Sequence, residues 1–215
     1  SKSIMYSFRR YYLDKLLDEH SDLISGKVLD IGGKKKGKRG AFDINSLNVD
    51  VIYLNSDQDT NPDLLASAEN IPSGDKEFDT VIMTELLEYV TNFEQVMKEV
   101  HRVTKNKTNI IISIPFLHPI HGDYWLDRIR LTEQGIKDLS LKSGFNIKII
   151  EPMGSVGAVI YDILRICFGY AGKSKFKSLF LFILYLSRVL FKFLDKVSKD
   201  QKSFINTGYF VVLSK

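Results

Sequence analysis

Cysteine is almost missing from this chain of 215 residues, with Cys167 the sole example. An intrachain disulfide is therefore excluded, and a reducing cytoplasm is the expected setting. The opening SKSIMYSFRR lacks the apolar stretch of a secretory signal. Long apolar runs are also scarce. In the region richest in apolar residues, only 10 uncharged residues lie between Lys177 and Arg188, against the ~20 a spanning helix requires. The dinucleotide fingerprint G-x-G-x-x-G is absent, which disfavours a Rossmann oxidoreductase. No Pro/Gly/Ser-rich linker or internal repeat divides the chain, so one domain over 1–215 is expected.

What remains is a globular composition, 44% hydrophobic and 26% charged, with a net charge of only +4. The charge is unevenly placed. From Lys173 to Lys202, eight basic residues stand against two acids, Asp195 and Asp200, so the remainder is slightly acidic.

Hydrophobic periodicity predicts a leading amphipathic helix over Ile4–His20 within segment 1–25. Apolar strands are predicted at Val28–Ile31, Val49–Leu54, Leu64–Ala66, Phe78–Met83, Asn109–Ile114, Phe145–Ile150 and Gly208–Leu213. Helices are expected over about 91–103 and 132–142, with Gly144 as the stop of the second. Strands alternating with helices imply a parallel sheet wound on both faces. Ligands of such sheets bind beyond the carboxyl ends of the strands, so residues after the first, second, fourth and fifth strands should converge. Only 18 residues separate Asp30 from Val49, leaving little room for a crossover helix there.

Three segments carry a family resemblance: VLDIGG (28–33), FDTVIMTELLEYV (78–90) and IIISIP (110–115). Together they resemble the cofactor half of class I S-adenosylmethionine-dependent methyltransferases, over about 26–155 plus the last strand. The chain also resembles a type 11-like subgroup associated with glycans and the cell envelope. Phe78-Asp79-x-Val81 and Leu87-Glu88-Tyr89-Val90 resemble the family's fourth-strand motif, with Tyr89 where His is usual. Glu99, Arg102 and Val103 match its following helix. The resemblance implies an α/β doubly wound, mostly parallel seven-stranded sheet with an antiparallel last strand. A cofactor core over 26–154, a helical insertion over 155–203 and a last strand over 204–215 complete the expected plan.

The resemblance also implies S-adenosyl-L-methionine as cofactor and a set of residues to hold it. The family's acidic-x-Gly-x-Gly-x-Gly loop is matched at Asp30 and Gly32. Gly33 follows, but Lys34 and Lys36 occupy the next two glycine positions. The ribose acid falls at Asn55, with Asp57 two residues on, and the Asp-Ala-Glu stretch near adenine reads Ser67-Ala68-Glu69. Asp30, Gly32, Gly33, Asn55, Asp57, Ala68, Glu69 and Glu85 are thus the expected cofactor residues. The basic loop from Lys34 to Arg39 is either a phosphate or acidic-substrate contact or simply a solvated loop.

Beyond the fifth strand, PFLHPIHGDYWLDRIRLT (115–132) resembles a loop of the same subgroup at the functional edge of the sheet. His118 and His121 are candidate bases for an acceptor hydroxyl, with Asp123 orienting an imidazole. Tyr124, Arg128 and Arg130 are candidates for substrate binding. Zinc at H-x-x-H lacks a third ligand, so no metal is expected. Structural histidines and a loop-pinning Arg130 are the competing readings.

The apolar and basic stretch of 156–194 suits an interfacial helix on a membrane, with a lid or homodimer surface as alternatives. Its aromatics form an apolar face rather than separated stacking platforms, so no nucleic acid is expected. The expected function is methyl transfer to a hydroxyl of a glycan, nucleotide sugar or lipid-linked intermediate, in the cytoplasm or at the inner face of the membrane. The rival is a catalytically inactive binding or membrane-associated scaffold of the same fold.

Overall fold

A computed structural model describes residues 6–36, 40–120, 126–170 and 175–215. Helix α1 spans Phe8–Glu19, and the Ser7 side chain caps it by accepting from the Arg10 amide. The strands are β1 (Lys27–Ile31), β2 (Asp50–Asn55), β3 (Leu64–Leu65), β4 (Phe78–Thr84), β5 (Thr104–Pro115), β6 (Asn146–Met153) and β7 (Gly208–Ser214). Helices α2 (Phe93–Val103) and α3 (Glu133–Lys142) precede β5 and β6. Three further helices, α4 (Val156–Tyr170), α5 (Lys175–Leu186) and α6 (Arg188–Val197), form the insertion before β7.

All seven strands join one sheet in the order β3-β2-β1-β4-β5-β7-β6. Six run parallel and β7 runs antiparallel between β5 and β6. Strand order reverses between β1 and β4, which opens a crevice at their carboxyl ends. Between β1 and β2 the described residues hold only a 3-10 turn, Ile44–Ser46, as the short spacing predicts.

Alternation along the strands builds a core on each face. Leu29, Val81, Met83, Ile110 and Ile112 point toward α2 and α3. Val28, Ile82, Ile111, Phe210 and Val212 point the other way, toward Leu13, Leu16 and Leu17 of α1. The leading helix therefore replaces the missing crossover helix as cover for that face. Strand β5 begins at Thr104, five residues before the expected start at Asn109, because Thr104 itself pairs with Phe78 of β4.

Candidate functional site

A cleft of about 830 Å³, counting its space open to solvent, lies at the carboxyl ends of β1 and β4. Asp30, Gly32 and Gly33 form its floor, and Thr84 and Glu85 close one wall. Arg10, Asp14 and Leu17 of α1 form the opposite side, with Phe42, Ile44 and Tyr53 supplying apolar surface.

The floor is a backbone cradle. Gly32 has φ 80°, a left-handed conformation that favours glycine, and its amide donates to Leu54 O at 2.8 Å. A Cβ on Gly33 would collide with the Asp30 carboxylate, so that approach depends on glycine. Asn55 fixes the loop from below, its side-chain amide donating to Gly32 O at 3.1 Å and Gly33 O at 2.9 Å. Its Oδ1 accepts from the Asp57 amide at 3.0 Å. Asn55 thus positions the cradle and is not part of the cleft lining.

Glu85 follows β4 directly with φ 57°, a strained conformation for a non-glycine residue. Its amide donates to Ser113 O at 3.1 Å, and Ser113 Oγ donates to its Oε1 at 2.8 Å. Its other carboxylate oxygen forms a buried ion pair with Arg9 of α1. Burial outweighs the neighbouring carboxylates and lowers the Arg9 guanidinium to about 10. Glu88, fully buried nearby, is raised to about 7, chiefly by burial and against the opposing pull of Arg9. Burial also raises Asp14, whose carboxylate accepts from the Ala41 amide at 2.7 Å and anchors that loop over the cleft.

Among the expected cofactor residues, the cleft gathers Asp30, Gly32, Gly33 and Glu85. Asp57 instead caps a 3-10 turn, accepting from the Asp59 amide at 3.0 Å. Ala68 is core. Glu69 holds the start of α2, accepting from the amides of Thr91 at 3.1 Å and Asn92 at 2.8 Å. Of the expected acceptor residues, His121, Asp123 and Tyr124 lie outside the described residues. His118 is buried, with Nδ1 2.9 Å from Pro119 O and Nε2 3.8 Å from Asp162, away from the cleft lining. Arg130 grips Asp127 through both terminal nitrogens and so pins its loop. Arg128 is exposed, and its amide donates to Glu88 O at 2.8 Å. Of the basic loop, Lys34 lines the cleft and Lys35 pairs with Asp63 at 2.6 Å; residues 37–39 lie outside the described residues. Among the described residues, no three His, Cys, Asp or Glu groups could hold a metal ion.

Sequence reading missed the contribution of α1. Arg10, Asp14 and Leu17 recur at i, i+4 and i+7, one helical face, and that spacing was the available signal.

A family model described as Methyltransferase domain matches residues 37–112. The fold is that of a class I methyltransferase. No curated protein matches the chain. A SAM-dependent methyltransferase from Archaeoglobus fulgidus is similar, at TM-score 0.59 and 15% identity, covering 96% of this chain and 94% of that one. The 4+2 cyclase SpnF gives TM-score 0.61 at 18% identity, covering 94% and 79%. Phospholethanolamine N-methyltransferase 2 of Haemonchus contortus, solved with phosphomonomethylethanolamine and S-adenosylhomocysteine, gives TM-score 0.58 at 15% identity, covering 95% and 53%. The domain match and the fold together support S-adenosylmethionine-dependent methyl transfer, with S-adenosylmethionine as cofactor. The cradle fits that group: the absence of a side chain at Gly33 makes room for the Asp30 carboxylate on the cleft lining, where a carboxylate suits a cationic amine.

Proposed function

We propose that this protein methylates a hydroxyl of a glycan, nucleotide sugar or lipid-linked intermediate. The carrying observation is the cleft at the switch point, where Asp30 and the Gly32–Gly33 backbone meet the Glu85 end of β4. Bound there, S-adenosylmethionine supplies an activated methyl group. Asp30 holds its cationic amine, and the Gly32 and Gly33 backbone admits its methionine portion. Arg10, Asp14 and Leu17 of α1 line the other side of the site. Positioning carries most of the catalysis, as suits transfer between two well-held groups. His121, Asp123 and Tyr124 complete the acceptor side in this reading, with Arg128 facing an acidic group on the acceptor.

A second groove supports the approach of such an acceptor. It runs between α1 and the α5–α6 pair, walled by Tyr11, Tyr185, Arg188 and Lys192, and it shares Asp14 with the cleft. The reading places the protein in the cytoplasm, at the inner face of the membrane, with helices of 156–194 as the contact. A homodimer through the same helices is the competing use of that surface.

One observation favours a second reading, a non-catalytic scaffold of the same fold. The amide of Asn55 and the carboxylate of Glu69 are both engaged in holding protein backbone. Calorimetric titration with S-adenosylmethionine and S-adenosylhomocysteine decides between them. Micromolar binding, about −8 kcal/mol, that is lost in a folded Asp30→Ala variant supports the enzyme. Absence of binding by the wild type supports the scaffold.

A further inference from the structure

The insertion is anchored from inside by buried acids. Asp162 of α4 accepts from the amides of Phe8 at 2.7 Å and Arg9 at 3.0 Å, capping α1. Asp195 of α6 accepts from Tyr12 Oη at 2.6 Å, the Ser155 amide at 3.1 Å and the Ala158 amide at 2.8 Å. Phe8, Tyr161 and Leu184 fill the small core between them. These contacts fix one face of α5 and α6 against the protein.

The opposite face is apolar and exposed. Backbone hydrogen bonding continues through the junction, from Ser187 N to Ile183 O and from Phe191 N to Ser187 O, so the two helices carry one stripe. Phe182 (57% exposed), Leu186 (60%), Val189 (78%), Phe193 (59%) and Val197 (60%) recur along it at spacings of three and four. A soluble monomer seldom leaves such a stripe to water.

Charge selects the occupant. Lys196 and Lys199 are exposed beside the stripe, together with the acid Asp200, whereas Asp195 is buried and engaged inside and Lys192 turns toward α1, its ammonium 4.1 Å from the Tyr11 ring centroid. The outward charge of this region is therefore more positive than its sequence indicates. A second copy docked face to face would oppose these lysines to one another, while an anionic lipid surface satisfies both the apolar stripe and its basic flank. No helix among the described residues is long and apolar enough to cross a membrane, which leaves lying in the interface as the mode of contact.

We propose that the outer face of α5 and α6 is a docking surface for an anionic lipid bilayer, which Phe182 and Phe193 enter while Lys196 and Lys199 meet acidic head groups. This deepens the membrane part of the proposed function, yet its readout is separate from cofactor binding. The groove walled by Tyr185 and Lys192 then opens beside the bilayer surface.

Flotation of the full chain with vesicles of phosphatidylcholine, alone or mixed with phosphatidylglycerol, tests the surface. Recovery with the anionic vesicles only, falling as salt is raised, is expected and needs no variant. The double variant Phe182→Glu/Phe193→Glu loses at least about tenfold in partitioning. Each of Lys196→Glu and Lys199→Glu loses roughly fivefold. Circular dichroism and calorimetric titration confirm that these surface variants keep fold and cleft. Equal recovery with both vesicle types, no recovery with either, or an unchanged double variant overturns the proposal. A wild type that sediments as a dimer, dissociates on Phe193→Glu and ignores vesicles assigns the face to a second copy instead.

Discussion

Glu88 shows how burial can outweigh pairing at a single residue. Arg9 and Arg130 both favour its charged form, yet burial outweighs them and raises the carboxyl from 4.5 to about 7. The folded state then binds more protons than the unfolded chain between those values, so this group's contribution to stability falls as pH rises through that window. Thermal melts across it are expected to show a falling midpoint that flattens in Glu88→Gln; an identical slope in the variant refutes the assignment. Gly33 makes the complementary case for shape. Gly33→Ala forces a methyl group into the Asp30 carboxylate, and cofactor affinity is expected to fall about tenfold, about 1.4 kcal/mol. Unchanged titration curves would show that the cradle does not touch the ligand.

At the scale of elements, α4 and α6 touch through backbone. A Cβ on Gly157 would run into Phe191 O and sit 3.0 Å from Asp195 N. Alanine gains about 1 kcal/mol in helix propensity, but overpacking against a rigid carbonyl costs about 1–3 kcal/mol. The second effect wins, so Gly157→Ala is expected to lower the melting midpoint, and a rise would show that the helices can slide apart. The edge of α2 makes a related point. The amides just before it, of Thr91 and Asn92, are held by Glu69, a residue that resemblance assigns to the cofactor, so a sequence match and a structural duty coincide on one side chain.

For the molecule as a whole, α1 joins the two functional regions. Its Arg10, Asp14 and Leu17 line the cleft, while its amides and Tyr12 are bonded to Asp162 and Asp195 of the insertion. Cofactor at about a hundred times its dissociation constant adds about 2.7 kcal/mol to folding stability, expected as a rise of roughly 5–10 °C in the melting midpoint. Scanning calorimetry with S-adenosylhomocysteine checks this, and an unmoved midpoint counts against a site formed only in the folded state. The sequence by itself determined the strands, their alternation into two cores, the loop-like connection after β1 and the glycine cradle. These follow from neighbouring residues, because side-chain period and backbone freedom are local properties. Tertiary structure alone decided that α1 covers the cleft, that Asn55 and Glu69 serve the backbone, and that Asp195 turns inward and leaves α6 with a basic exterior. Each of those outcomes depends on a partner more than a dozen residues away, which local pattern does not encode.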